Sequence, residues 1–68
     1  MKDVSGATAK AKEVVVGRGV IDIPGFLRVL KKVHYDSVVS FEYEGAGDDP
    51  LPGLIASVEY VKHVLATL

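Results

Sequence analysis

From Leu54 to Leu68, apolar side chains recur every three or four positions: Leu54, Ile55, Val58, Val61, Val64, Leu65 and Leu68. A period near 3.6 predicts a helix with one face that must be covered. Ahead of it stands a helix-start signal, with Asp48 or Asp49 as cap, Pro50 in the first turn and Pro52 close enough to the start to be tolerated. The stripe needs a partner surface. A chain of 68 residues without cysteine has little to offer, because it buries only about 60% of its unfolded surface and has no disulfide or thiolate zinc site to hold it.

A second helix is signalled earlier. Asp22 or Ile23 stands as N-cap with Pro24 in the first turn, and Phe26, Leu27, Leu30 and Val33 follow at helical spacing. Lys31 and Lys32 lie near the C-terminal end, where they complement the dipole. The helix is expected over 24–33, with a break over His34–Ser37. Val38-Val39-Ser40-Phe41-Glu42-Tyr43-Glu44 is the strongest strand signal, being β-branched and aromatic and stopped by Gly45-Ala46-Gly47. Met1–Val4 reads as a strand stub followed by a mobile loop, and Val14–Val16 as a short extended run closed by the turn Gly17-Arg18-Gly19. Strands alternating with helices give a βαβα order, an α/β class with a parallel sheet and right-handed crossovers. Two strands and two helices cannot cover both faces of such a sheet. The pattern therefore implies self-association or a piece of a larger fold.

Composition removes several function classes. Eight basic residues against nine acidic ones, with a pI near 6.0, give no electrostatic footprint for nucleic acid. No apolar run approaches the roughly 20 residues of a membrane span, and Met1–Ser5 shows no secretory signal. The expectation is a cytoplasmic chain with neither nucleic acid nor membrane as partner.

Period 2 over 38–44 puts Val38, Ser40, Glu42 and Glu44 on one face and Val39, Phe41 and Tyr43 on the other. The second is a helix-packing face. A carboxylate at the C-terminal end of such a strand can bind a divalent cation or serve as acid or base. It can equally be a solvated group on a frayed strand end. Glu59 and His63, at i and i+4, have metal-ligand spacing but read more simply as a solvated pair, and His34 lies in an exposed turn.

Lys2-Asp3, the run Val16-Gly17-Arg18-Gly19-Val20-Ile21-Asp22-Ile23-Pro24-Gly25-Phe26-Leu27-Arg28-Val29-Leu30, Tyr35-Asp36, the segment Val38–Glu44 and Asp49-Pro50-Leu51 stand in an order that resembles the C-terminal part of the sugar phosphate isomerase/epimerase family, the xylose-isomerase-like barrels. The resemblance covers nearly the whole chain. It implies the last two βα units of a (β/α)₈ barrel, incomplete in this chain. It implies that Glu42 is a ligand of a divalent metal (Mn, Mg, Co or Zn by branch) and, in the ketose-epimerase branch, the carboxylate that also exchanges a proton with the carbon of a sugar or sugar-phosphate substrate. The family's metal-binding histidine would fall just before Met1, and its other ligands on earlier strands. Glu13-Val14-Val15-Val16 stands where the related zinc endonucleases carry an Asp-x-His pair, which favours the isomerase branch. The isolated chain is expected to be inactive and to act either as a complementing barrel fragment or as a non-catalytic, self-associating homo-oligomer.

Overall fold

The computed structural model describes residues 1–44 and 49–68 and runs β1 (Asp3–Val4), β2 (Glu13–Val14), α1 (Ile23–Lys32) and α2 (Leu51–Ala66). β1 and β2 form a two-stranded antiparallel sheet in which Asp3 faces Val14 and Val4 faces Glu13. The intervening loop is closed by the Ser5 N–H bond to the Lys12 carbonyl, 2.8 Å, and by the Lys12 N–H bond to the Ser5 hydroxyl, 2.9 Å.

This architecture corrects the expected βαβα portion of a (β/α)₈ barrel. The described residues form two helices and an antiparallel hairpin, and the segment Val38–Glu44 is not a strand. Two physical reasons account for it. Antiparallel neighbours need only a local turn, whereas parallel ones need a crossover and cover on both faces. Among the described residues the 38–44 segment also finds only one residue to pair with, backbone to backbone. The Met1 ammonium donates to the Ser40 carbonyl and the Glu42 N–H donates to the Met1 carbonyl at 3.1 Å. That is the bonding pattern of a parallel pair around Met1 and Phe41, and it stops there because Asp3 already belongs to the hairpin.

The helices lie where their local signals put them. Asp22 caps α1, its carboxylate accepting the Gly25 N–H at 3.0 Å, with Pro24 in the first turn. The C-terminal end carries a Schellman closure: His34 N–H donates to the Lys31 carbonyl, 3.1 Å, and Tyr35 N–H to that of Leu30, 3.0 Å, while His34 sits in the left-handed region at φ 57°. α2 starts after Pro50 with Pro52 in its first turn; the Asp49 carboxylate accepts the Leu51 N–H at 3.0 Å. Asp48, the alternative cap, and the expected stop at Gly45–Gly47 lie outside the described residues.

Val16, Ile23, Leu27, Val61 and Val64 form the buried core, with Met1, Leu30, Phe41, Tyr60 and Leu68 packed around it. The hydroxyl of buried Ser57 ties α2 to the chain after β2, accepting the Val16 N–H at 3.0 Å and donating to the Gly53 carbonyl at 2.9 Å. No helix among the described residues is long and apolar enough to cross a membrane.

Candidate functional site

The segment 40–44 keeps the alternation of a strand without being one. Phe41 and Tyr43 are half-buried, Phe41 against the core and Tyr43 with its ring against Gly53 of α2, while Ser40, Glu42 and Glu44 are exposed. Glu42 therefore points outward as period 2 requires, its side chain 73% exposed.

Lys2, in the opening residues, reaches two carboxylates. Its Nζ lies 3.5 Å from Glu13 Oε2 and 3.6 Å from Glu42 Oε2. The Glu13 hydrogen bond and charge, then the charge of Glu42, push the Lys2 ammonium above its ordinary value. Glu13 also accepts the backbone N–H of Glu44. Glu42 thus belongs to a small surface cluster of one cation and two carboxylates, drawn from the start of the chain, β2 and the 40–44 segment.

This cluster does not fit a divalent metal. The neighbour of Glu42 is an ammonium group, and among the described residues no three His, Cys, Asp or Glu side chains converge to hold an ion. Glu59, the other carboxylate considered, lies 3.9 Å from Lys62 on α2, and both it and His63 are exposed. His34 is exposed and serves the end of α1.

The most organised polar group in the molecule is Asp3, fully buried. Its Oδ1 accepts the N–H groups of Val4 (2.9 Å) and Ile21 (3.1 Å), and its Oδ2 those of Gly17 and Gly19 (both 3.0 Å). Burial pushes the carboxyl up, but the four backbone donors of Ile21, Gly19, Gly17 and Val4 outweigh it and hold the group below its ordinary value. The loop can wrap this closely because of its glycines. Gly17 has φ 98° and lies under the Tyr60 ring, and a Cβ on Gly19 would run into the Val4 carbonyl and the Asp3 carboxylate. Sequence reasoning placed Asp3 in the resemblance and Gly17-Arg18-Gly19 in a turn, but did not join them. The available signal was the pair of glycines, whose exposed amides make a concavity for an anion.

Compared with protein-family models, with curated proteins and with solved structures, the chain shows no match.

Proposed function

We propose that this chain contributes Glu42 to an isomerase or epimerase that moves a proton at the carbon next to a sugar or sugar-phosphate carbonyl, and that taken alone it is inactive. The ordered resemblance from Lys2 to Leu51 supports this reading. The structural observation that carries it is the placement of Glu42: the backbone is tied to Met1, and the carboxylate is turned outward where a substrate can reach it. The divalent metal implied by the resemblance finds no donor set here, so its ligands would have to come from residues outside these 68.

The nucleotide sequence upstream of Met1 is the first test. An in-frame extension encoding a histidine directly before Met1 is expected, and a stop codon at that position overturns the proposal. On the extended chain, deuterium exchange from solvent into a panel of ketoses should fall about 10²-fold or more with Glu42→Gln. Glu44→Gln should leave it nearly unchanged. The opposite pattern would show that the wrong carboxylate has been chosen.

A second reading, a non-catalytic self-associating chain, is favoured by the apolar side chains left at the surface of both helices, among them Phe26, Val29, Ile55 and Leu65.

A further inference from the structure

α2 is apolar on two sides. Ser57, Val61 and Val64 face the core, whereas Leu51, Ile55 and Leu65 are 56%, 54% and 49% exposed, with half-buried Val58 between them. A helix apolar on more than one face is normally covered on more than one face. The outer positions 51, 55, 58, 62 and 65 alternate steps of four and three, which is the spacing of a two-helix seam, and Lys62 is the single polar member.

We propose that α2 pairs antiparallel with α2 of a second copy of this chain along that seam. Charge sets the direction. A parallel pair would stack Lys62 on Lys62, whereas an antiparallel pair with its two-fold axis level with residue 60 places Ile55 against Leu65 of the second copy. In that register the stem of Lys62 lies along Val58 of the second copy and its ammonium beside Glu59, twice over by symmetry. The net charge of −1 per copy leaves little overall repulsion. This names the surface for the self-associating reading and stands apart from any role of Glu42, since its test reads mass and not turnover.

The test is sedimentation equilibrium of the 68-residue chain up to about 100 μM, with circular dichroism to follow α2. A monomer–dimer equilibrium is expected. Ile55→Glu, or Leu65→Glu if the first variant loses its helix, should raise the dissociation constant at least about tenfold. Glu59→Lys and Lys62→Glu should each weaken self-association, and the two variants should pair when mixed, which an ion pair within one helix cannot produce. A chain that stays monomeric, an association indifferent to Ile55→Glu and Leu65→Glu, or no pairing on mixing would each overturn the proposal.

Discussion

Asp3 is the residue whose loss should be felt most. Replacing it by Asn keeps the shape but removes the charge and turns an amide donor toward two of the four backbone N–H groups it now satisfies. Hydrogen bonds to a charged group contribute roughly 1.5–3 kcal/mol, so Asp3→Asn should cost about 3 kcal/mol in urea unfolding, a large share of what so small a domain has. The pH dependence has a definite sign. A carboxyl held below its ordinary value stabilises the fold in full above the usual carboxylate range, and that contribution disappears as pH falls through the folded value. Thermal midpoints of the parent chain should therefore drop on acidification, and those of Asp3→Asn should drop less. His34 is the opposite case. It holds a left-handed φ that costs a residue with a Cβ roughly 1–2 kcal/mol, so His34→Gly should raise stability by about 1 kcal/mol once the greater freedom of unfolded glycine is deducted. An unchanged or lowered urea midpoint would show that the imidazole has a contact that outweighs the strain. Apart from the adjacent Val4, Asp3's partners could not be seen from neighbouring residues, because Gly17, Gly19 and Ile21 lie 14 to 18 positions away.

At the scale of elements, what was local was legible. The expected helix at 24–33 is Ile23–Lys32, and the apolar run after Pro50 is Leu51–Ala66, because an Asp cap, a first-turn proline and helical spacing all act within a few residues. The strand expected over 38–44 failed for a non-local reason: β-propensity needs a neighbouring strand, and among the described residues the segment's backbone pairs only with that of Met1. Its alternation survives over 40–44 but not at Val38 and Val39, both exposed, so the side of the segment that carries Glu42 was readable while its pairing with Lys2 and the place of Glu13 beside it were not. The stripe on α2, continuous in sequence, is not one face in the structure. The structure splits it into an inner row at Val61 and Val64 and an outer row at Ile55 and Leu65. What ties α2 to the hairpin end is Ser57. Ser57→Ala leaves the Val16 N–H buried without its acceptor, and a loss of roughly 1–3 kcal/mol is expected in thermal unfolding. Ser57→Thr, which retains a hydroxyl, should lose less if the extra methyl is accommodated.

For the molecule as a whole, stability and association should be one measurement. If α2 is covered by a second copy, folding is linked to dimerisation, and the thermal midpoint should climb as the chain is concentrated over two orders of magnitude. A midpoint independent of concentration would mean that the apolar cluster around Val16, Ile23 and Leu27 is sufficient by itself. The bond between Ser57 and Val16 also has a consequence for birth on the ribosome. Its two ends are 41 residues apart. Translation at roughly 5–20 residues per second separates their synthesis by roughly 2–8 s. For the later part of that interval Asp3 can already gather the 17–21 loop, while Val16, Ile23 and Leu27 wait without the lid that α2 supplies. The nascent chain is thus part-organised and apolar at once until Ser57 and the rest of α2 emerge.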